Sequence, residues 1–460
     1  MKIDKNASER GTIISARFVL PVSSEPFENS AVLIRNGTID AIDSLENLIE
    51  KDSAAEVLNF PNAVLMPGFV NAHSHLELTV LRGYLDRFDD DFAKWLFAVT
   101  NARDQILSAD EIRTSAFYGV LEGVASGVTC FADIGRLGFA GMEALNAVGL
   151  RGISFQETEF SPENKTAEAD FETLSDRFQE QRGKETKLVR AGISPHSCYT
   201  VSPKLFGFIA QAAKLGNIPL SIHAAESIYE IEFLKNGTGF FAQYFDQNNI
   251  VWKAPDVSPI EYLESLGILE AQPLLAHCVE VSEKDLQLIA QGGARIAHCP
   301  KSNAKLGHGI APFAKFLSKG IKTGLGSDSV ASNNLCDFFE EARFACLVAR
   351  VGSERFLSAR EFLRAATFGG AEALGLDDEI GSIEVGKRAD LVVVSLDSIG
   401  SSPVYDVTDS LLFSGRSHDV CMTMVDGNIL YKDGEFSYGR VEQVREEIEN
   451  IRGKLVFTND

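Results

Sequence analysis

The sequence predicts an α/β protein, a (β/α)8 TIM barrel with a small β-sandwich formed by both termini. Three observations predict this architecture. Eight short apolar runs alternate with helical patterns along the middle of the chain. Segments of β type with turn signals lie at both ends. The length of 460 residues suits one large barrel with a minor domain.

The two ends carry hairpin signals. Asn36-Gly37 lies between two β-type runs near the N-terminus, and Asp426-Gly427 lies between two runs near the C-terminus. Both dipeptides favour the tight turn that joins antiparallel strands. Because neither end has enough strands to be stable alone, we expect the two to pair into one β-sandwich.

The middle of the chain is expected to form the barrel. Near-continuous apolar strands that alternate with helices indicate a parallel sheet covered on both faces. An open doubly wound sheet is the alternative, but no Gly-x-Gly-x-x-Gly follows the first strand. Helices are predicted between most strands, for example at 203–215, 283–291 and 312–319. The predicted strands are 69–75, 128–135, 152–157, 189–196, 219–226, 273–280, 295–300 and 323–328.

These elements divide the chain into three parts. The expected domains are a sandwich of residues 1–66 and 381–435, a barrel of residues 67–380, and a charged helical segment of residues 436–460. The helical segment is expected to dock on the protein's own surface or on a neighbouring subunit.

Composition and charge limit the expected partners. The chain has 65 acidic and 43 basic side chains and a net charge of −22, so its surface repels nucleic-acid backbones and anionic membranes. Seven scattered cysteines without a Cys-x-x-Cys pair predict reduced thiols in a cytoplasmic protein. The segment 1–6 lacks the apolar core of a signal peptide, and no apolar run approaches a membrane span. We expect a homo-oligomer that acts on a small molecule.

Six of the eight histidines lie where predicted strands end. Barrel enzymes place their sites at the C-terminal ends of the strands. A single His-x-His is a weak signal, and one buried histidine is more often a hydrogen-bonded core residue. An ordered series at one edge of the barrel is different and predicts a functional site. In chain order these ends offer His73, His75, His196, His223, His277, His298 and Asp328.

Three histidines and one carboxylate can hold a divalent ion and leave a position for water. The expected ligands are His73, His75, His223 and Asp328. We expect one ion of Zn²⁺, while Fe²⁺ and Mn²⁺ suit the same donors. Such an ion lowers the pKa of its bound water from about 15.7 to about 7.

Two further side chains have the character of acid–base catalysts. Glu226 follows His223 by three residues and can move a proton from water to a ring nitrogen. On its own, such a glutamate is equally expected at a helix N-terminus, where the dipole favours it. His277 is expected to hold or polarise the water, and Asp328 to accept a proton besides binding the metal. His308, in a loop, and His418, in the sandwich, receive no role.

Seven stretches of this chain resemble the amidohydrolase superfamily, in its mononuclear metal-dependent deaminase branch. They follow the family order across nearly the whole chain: residues 67–75, 81–83, 194–200, 223–227, 298–303, 324–329 and 381–391. The resemblance implies the same barrel, sandwich and metal ligands, with Glu226 as proton shuttle and His277 beside the nucleophilic water. It also implies that His196 contacts substrate. No apolar-flanked lysine stands where binuclear members place a bridging one, which implies a single ion.

Within this branch the motifs are most similar to deaminases of adenine nucleosides. The implied substrate is aminodeoxyfutalosine, S-adenosylhomocysteine, 5′-methylthioadenosine or adenosine, with release of ammonia. Methylthioadenosine-type enzymes carry an acidic ribose contact shortly after a tryptophan. Here the region after Trp95 departs from that pattern. Asp104 can serve in place of the glutamate, but it is shorter and lies beside Arg103. Residues 75–78 and 92–95 are more similar to aminodeoxyfutalosine deaminases.

Two other functions stay open at this point. One is a hydrolase of another amino- or halo-substituted aromatic heterocycle, such as a triazine, guanine or a pterin. Relatives that act on chlorinated triazines typically lack the glutamate and histidine that match Glu226 and His277, which favours deamination here. The other is a metal-binding barrel without turnover, and the full acid–base set argues against it.

Overall fold

The structure is a computed structural model that describes residues 11–353 and 355–457. The segment 1–6, discussed above for its composition, and the last residues of the predicted helical segment, 458–460, lie outside the described residues. Sixteen strands within the described ranges form three sheets. They are β1 Thr12–Val19, β2 Phe27–Arg35, β3 Thr38–Asp43, β4 Glu56–Pro67, β5 Phe69–Ser74, β6 Val128–Gly135, β7 Arg151–Glu157, β8 Val189–Ser194, β9 Ser221–Ala224, β10 Leu274–His277, β11 Arg295–His298, β12 Thr323–Leu325, β13 Leu391–Ser395, β14 Val420–Val425, β15 Asn428–Lys432 and β16 Glu435–Phe436.

Both ends of the chain build one mixed sheet of eight strands, in the order β16-β15-β14-β13-β4-β1-β2-β3. The two ends meet where β4 pairs antiparallel with β13. Both predicted hairpins are present, since Asn36-Gly37 joins β2 to β3 and Asp426-Gly427 joins β14 to β15. All four turn residues have positive φ, the backbone that Asn-Gly and Asp-Gly turns favour. The expectation that the termini form a single β unit is confirmed.

Eight parallel strands lie between these ends, in two four-stranded sheets ordered β5-β6-β7-β8 and β12-β11-β10-β9. Single bridges link the two sheets on both sides, one between Ile193 and Leu220 and one between Ser74 and Asp328. An open doubly wound sheet has two free edges, so these bridges indicate a barrel-like arrangement instead. Every residue of β5, β6 and β7 is buried, as covered parallel strands require.

All eight predicted barrel strands are present, but several end earlier than predicted. The run 219–226 is a strand only over β9, and the run 273–280 only over β10. The residues at these ends have positive φ, at 50° for Ala225, 73° for His277 and 48° for Cys278. Such backbone interrupts a strand. The candidate site residues therefore stand at the sheet edge or in the loops that follow it.

Helices cover the outside of the barrel, and the three predicted as examples are α6, α10 and α12. The hydroxyl of Ser202 caps α6, where Pro203 occupies the first turn, and Ser282 forms a capping box with Asp285 at the start of α10. The helices are α1 Leu45–Lys51, α2 Phe92–Asn101, α3 Ala109–Ala125, α4 Gly138–Val148, α5 Ala167–Arg182, α6 Pro203–Gly216, α7 Ile228–Ile231, α8 Gly239–Gln247, α9 Pro259–Ser265, α10 Glu283–Gly292, α11 Pro300–Lys305, α12 Phe313–Ser318, α13 Val330–Asn333, α14 Phe338–Gly352, α15 Ala359–Ala366, α16 Phe368–Leu374, α17 Val407–Ser414 and α18 Val441–Phe457.

The last helix, α18, docks on the chain's own α3. Glu447 accepts a hydrogen bond from the Thr114 hydroxyl at 3.0 Å, and the ring of Tyr438, just before the helix, stacks on Phe117. The sequence left open whether this helix docks on its own chain or on a neighbouring subunit. These contacts show that it docks on its own chain. None of the helices within the described ranges is long and apolar enough to cross a bilayer. The predicted domain boundaries stay a prediction.

Candidate active site

A cavity of about 290 Å³ lies at the C-terminal ends of the barrel strands. Eight of the nine residues predicted for the site line it: His75, Trp95, Asp104, His196, His223, Glu226, His277 and Asp328. The ninth, His73, is fully buried behind them, with its Nε2 atom 3.4 Å from Asp328 Oδ1. The structure therefore brings together residues that are up to 255 positions apart in sequence, from His73 to Asp328.

His75 and His223 face each other, with their Nε2 atoms 3.1 Å apart. Their Nδ1 atoms lie 3.0 Å from the carbonyl oxygen of Ile134 and 2.9 Å from that of His196, respectively. Because a carbonyl oxygen only accepts hydrogen bonds, each Nδ1 carries a proton, which leaves Nε2 as the nitrogen of each ring that can offer a lone pair. Two lone pairs at this distance repel each other unless a cation binds both. The pair therefore has the form of a metal site with oriented ligands.

His73 supports the same interpretation. Neither of its ring nitrogens has a hydrogen-bond partner, although the side chain is fully buried. Buried polar atoms of this kind are rare and call for another partner, such as an ion. Burial lowers the pKa of His73 to about 3, so the ring is neutral and one of its nitrogens offers a lone pair.

The donor atoms are close enough to share an ion. Within the described ranges there are three groups of three side chains whose ligand atoms all lie within 4.8 Å of one another. All three belong to this site. They are His73, His75 and His223; His73, His277 and Asp328; and Glu157, His196 and His223.

Asp328 is held in place by two hydroxyl groups. Its Oδ2 accepts hydrogen bonds from Ser302 Oγ at 2.5 Å and Ser332 Oγ at 2.9 Å. Its Oδ1 lies 3.5 Å from His75 Nε2 and is left to face the histidines. The backbone of Asp328 has φ of 56°, and its amide donates to the carbonyl oxygen of His73 at 2.9 Å. The carboxylate thus has one oxygen anchored and one directed into the donor group.

Glu226 lies between two histidines. Its Oε1 is 3.7 Å from His277 Nε2 and 3.5 Å from His308 Nε2. Burial raises the pKa of Glu226, but the two neighbouring histidines hold that pKa well below its usual range. His277 is itself oriented, because its Nδ1 lies 2.8 Å from Asn303 Oδ1. The Glu226 amide donates to Glu230 Oε2 at 2.6 Å, which fixes the backbone of the loop.

His196 lies at the side of this donor group. Its Nδ1 faces the hydroxyls of Thr200 at 2.8 Å and Ser197 at 3.0 Å, and its Nε2 is 3.9 Å from Glu157 Oε1. Burial lowers the pKa of His196 to about 3. Since its carbonyl oxygen also accepts from His223, His196 orients a donor of the site as well as lining the cavity.

Trp95 and Asp104 also line the cavity, but Asp104 is already paired. Its Oδ1 accepts from Arg103 Nε at 2.8 Å, and its Oδ2 accepts from Arg136 Nη1 at 3.0 Å. Both arginines lie 3.6 Å from Glu157 Oε2 as well. Asp104 is therefore part of a charge network on the cavity wall, which the sequence did not indicate beyond the neighbouring Arg103.

Sequence reasoning gave no role to several residues that the structure places at the site. Glu157 ends β7, so reading the strand ends for carboxylates as well as histidines could have found it. Arg136 and His308 lie in loops, where no periodic pattern marks them. His308 received no role, yet its ring is buried beside Glu226. His298 stacks on Phe313 and is not part of the cavity wall.

The chain is similar to known proteins in both sequence and structure. The profile of the Amidohydrolase family matches residues 64–430. A 5-methylthioadenosine/S-adenosylhomocysteine deaminase of Nitratidesulfovibrio vulgaris is 30% identical over 429 residues, covering 92% of each chain. One of Natronomonas pharaonis is 32% identical over 423 residues, covering 89% of this chain and 92% of its own. A crystal structure of an adenosine deaminase from Xanthomonas campestris, with bound zinc, has a TM-score of 0.86 at 26% identity and covers 98% of this chain and 99% of its own.

Proposed function

The chain belongs to the amidohydrolase family, and on that premise we propose that it is a metal-dependent hydrolytic deaminase of an adenine-type nucleoside. The observation that carries the proposal is the joint presence, in one cavity, of the histidine donor group and of Glu226 between His277 and His308. Metal-dependent hydrolysis needs the donor group, and the transfer of a proton from water to the substrate needs the glutamate. The relatives named as deaminases of 5-methylthioadenosine and S-adenosylhomocysteine support the substrate class.

We propose one zinc ion, held by His73, His75, His223 and Asp328. The support is the facing pair of Nε2 atoms, the unpartnered ring of His73 and the free Oδ1 of Asp328. Nitrogen and carboxylate donors in this number suit zinc with a position left for water. When bound, the ion supplies Lewis acidity that makes hydroxide available at neutral pH.

Three residues then share the work of proton transfer, Glu226, His277 and Asp328. Glu226, ionised because its pKa is low, accepts a proton from the attacking water and passes it to a ring nitrogen of the purine. His277 presents Nε2 to the same space, because its Nδ1 is committed to Asn303, and it orients the water. Asp328 is the second proton acceptor, through the oxygen that no hydroxyl occupies. The second proton of the water then passes to the amino group, which leaves as ammonia.

We propose that His196, Trp95 and Asp104 contact the substrate. All three line the cavity, and His196 is the closest of them to the donor group because its carbonyl oxygen binds His223. Both oxygens of Asp104 already accept from arginines. Each oxygen has a second lone pair, so a ribose hydroxyl can still donate to this carboxylate.

The finer architecture is also a proposal. We propose that β5–β12 close into a complete (β/α)8 barrel and that the terminal sheet folds over as a sandwich. The two bridges between the parallel sheets support the first. A separate apolar cluster that includes Ile14, Leu65 and Val393 supports the second, because a flat single layer would not enclose it. The cytoplasmic location and the homo-oligomer stay predictions.

The proposed function is tested with a panel of purine nucleosides and other rings. The zinc-loaded protein is expected to release ammonia from 5′-methylthioadenosine, S-adenosylhomocysteine, aminodeoxyfutalosine or adenosine, followed as loss of the adenine absorbance. Chloride release from a chlorotriazine, with no ammonia from any nucleoside, would instead support the heterocycle hydrolase. Bound metal with no turnover of any ring would support the non-catalytic barrel.

A matched pair of variants tests the proton route. Glu226→Gln keeps the size of the side chain but cannot accept the proton, so kcat should fall by about 10²–10⁴-fold while zinc content is unchanged. Glu180→Gln changes an exposed glutamate on α5 and should leave both at the wild-type value. Activity of Glu226→Gln within a few fold of wild type contradicts the role of Glu226.

A further inference from the structure

A second buried glutamate is bound to the backbone of Glu226. Glu230 lies on α7, is only 1% exposed and does not line the cavity. Its Oε2 accepts a hydrogen bond from the amide of Glu226 at 2.6 Å, and the amide of Ser227 donates to the same carboxyl. Its Oε1 has no hydrogen-bond partner among the described residues. The carboxyl of Glu230 is therefore committed to the backbone of the loop after β9.

The backbone around Glu226 is held from two directions. The preceding residue, Ala225, has a φ of 50°. Its carbonyl oxygen accepts from the amides of Val279 at 2.8 Å and Glu280 at 2.9 Å, and the Glu226 amide on the other side donates to Glu230. A residue other than glycine keeps a positive φ only where its surroundings determine it. The direction in which the Glu226 side chain leaves the loop thus depends on these contacts.

The surroundings of Glu230 favour the neutral carboxyl. Burial, together with the nearby carboxylate of Glu226, raises the pKa of Glu230 well above its usual range, and the amides of Glu226 and Ser227 act against this rise. Burial also raises the pKa of the neighbouring Cys198 and Cys278 thiols, so they bring no charge near the carboxyl. A buried ionised group without a cation beside it is costly, whereas a neutral carboxyl still offers an acceptor oxygen to the two amides.

The two glutamates thus differ in what they contact. Glu226 lines the cavity with its Oε1 3.7 Å from His277 Nε2, and Glu230 contacts the peptide that carries Glu226. We propose that Glu230 is a positioning residue, which holds the amide of Glu226 so that the Glu226 carboxylate points into the cavity toward His277. The inference rests on the proposed function and extends its proton route by one residue. In this role Glu230 acts only through Glu226.

Two variants of the zinc-loaded full chain separate the length of the side chain from its charge. They are assayed by ammonia release from the nucleoside that the wild type deaminates fastest. Glu230→Gln keeps the length and an uncharged acceptor, so kcat should stay within a few fold of wild type. Glu230→Asp is one methylene shorter and draws the acceptor away from the Glu226 amide. Its kcat should fall by about 10–100-fold with KM nearly unchanged, because a small misplacement of a catalytic group is enough to lower the rate.

Two controls accompany these variants. Zinc content should stay at the wild-type value in both, because the amide and Nδ1 of His223 remain bound to the carbonyl oxygen of His196. Glu172→Asp makes the same change at an exposed position of α5 and should alter neither kcat nor zinc content. Thermal melting shows that each variant is folded.

A merely structural role is distinguished by combining variants. In a Glu226→Gln protein, Glu230→Asp should lower kcat no further, since the two residues act together. A further loss of the same size in the double variant, or a loss of zinc in Glu230→Asp, overturns the positioning role. Equal losses of kcat in Glu230→Gln and Glu230→Asp overturn it as well, because the charge of the carboxyl would then be what matters.

Hydrogen exchange of the Glu226 amide tests the contact independently of turnover. Mass spectrometry of the peptide that contains this amide measures the exchange. The amide should exchange at least about tenfold faster in Glu230→Asp than in the wild type or in Glu230→Gln, because it loses its acceptor. Equal exchange in the three proteins overturns the inference. If no ring of the panel releases ammonia, the proposed function fails, and the exchange still decides whether Glu230 holds the Glu226 backbone.

Discussion

The closed and the open ends of the cavity are built from different parts of the fold. At the closed end, His75, His223 and His277 lie at the C-terminal ends of barrel strands. One nitrogen of each ring is fixed by a backbone carbonyl or an amide oxygen. At the open end, Phe97 and Phe160 stand on a helix and a loop and contact mainly other rings. Strand ends thus fix the reacting groups, while the connecting segments decide what can enter.

The backbone shows the same difference. Ala225, His277, Cys278 and Asp328 all have positive φ without being glycine, and each such residue costs about 1–3 kcal/mol. They persist because the surrounding barrel determines their conformation. Neither Phe97 nor Phe160, at the open end, has a positive φ. The closed end is therefore the strained and rigid part, and changes there should cost activity far more than changes at the mouth.

The largest effect is expected from removing a donor of the closed end. His223→Ala should lose its zinc, and its activity should fall at least about 10⁴-fold, because a bound metal lowers the pKa of water from about 15.7 to about 7. Zinc content by mass spectrometry and ammonia release are the two measurements. His418→Ala, which removes an exposed ring that does not line the cavity, should change neither. A full complement of zinc in His223→Ala would contradict the proposed ligand set.

The second-largest effect is expected from removing a hydrogen bond that holds Asp328 in place. Ser302→Ala removes the hydroxyl that donates to Asp328 Oδ2 at 2.5 Å, while Ser332 still donates. Loss of such a partner typically weakens metal affinity by about 10–100-fold. Competition with a chelator measures the affinity, and Ser318→Ala on α12 is the control. An unchanged affinity would mean that the hydroxyl does not help to place the carboxylate.

A smaller effect is expected at His308, which lies beside Glu226 but not on the donor group. His308→Gln should lower kcat by about tenfold and leave KM nearly unchanged, because it removes one polar contact of about 1.4 kcal/mol from the carboxylate. The same change in a Glu226→Gln protein should have almost no further effect, since the two residues act together. If the two changes lowered kcat independently, so that the double variant showed both losses, His308 would not act through Glu226.

The smallest effect concerns stability and comes from a buried carboxyl behind the closed end. Glu341 Oε2 accepts from Asn333, whose amide also donates to the carbonyl oxygen of Ser327. Burial raises the pKa of Glu341 from 4.5 to about 7. The folded state therefore binds more protons than the unfolded state between these values, and stability falls as the pH rises from about 4.5 to 7.

Glu341→Gln should remove this part of the pH dependence, which amounts to about 3 kcal/mol over the whole range at 1.36 kcal/mol per pKa unit. About 2 kcal/mol of it falls between pH 5 and pH 7. Urea unfolding of both proteins at pH 5 and pH 7 measures it. The hydrogen bond that glutamine cannot accept lowers stability equally at both pH values, so the difference isolates the carboxyl. Parallel stability curves for the two proteins would contradict the raised pKa.

The strand-end histidines and the hairpin turns were predictable because each depends on local sequence. Buried strands are visible in the sequence as near-continuous apolar runs. Asn-Gly and Asp-Gly favour tight turns whatever the rest of the fold. Several strands end earlier than the sequence predicted. The reason is that the positive φ of Ala225 and Cys278 comes from packing and not from residue type. The charge network of Arg103, Asp104 and Arg136 was also out of reach, since it joins a helix end to a loop 32 residues away.

The sequence by itself determined the class of fold, the series of donors at the strand ends and the glutamate among them. Those features follow from periodicity and residue chemistry, which are local properties of the chain. Only the tertiary structure decided that His308 meets Glu226, that Asp104 is paired with two arginines, and that the rings of α2 and α8 meet at the mouth of the cavity. Loop residues carry no period, and contacts between distant segments exist only once the barrel has fixed where each loop begins.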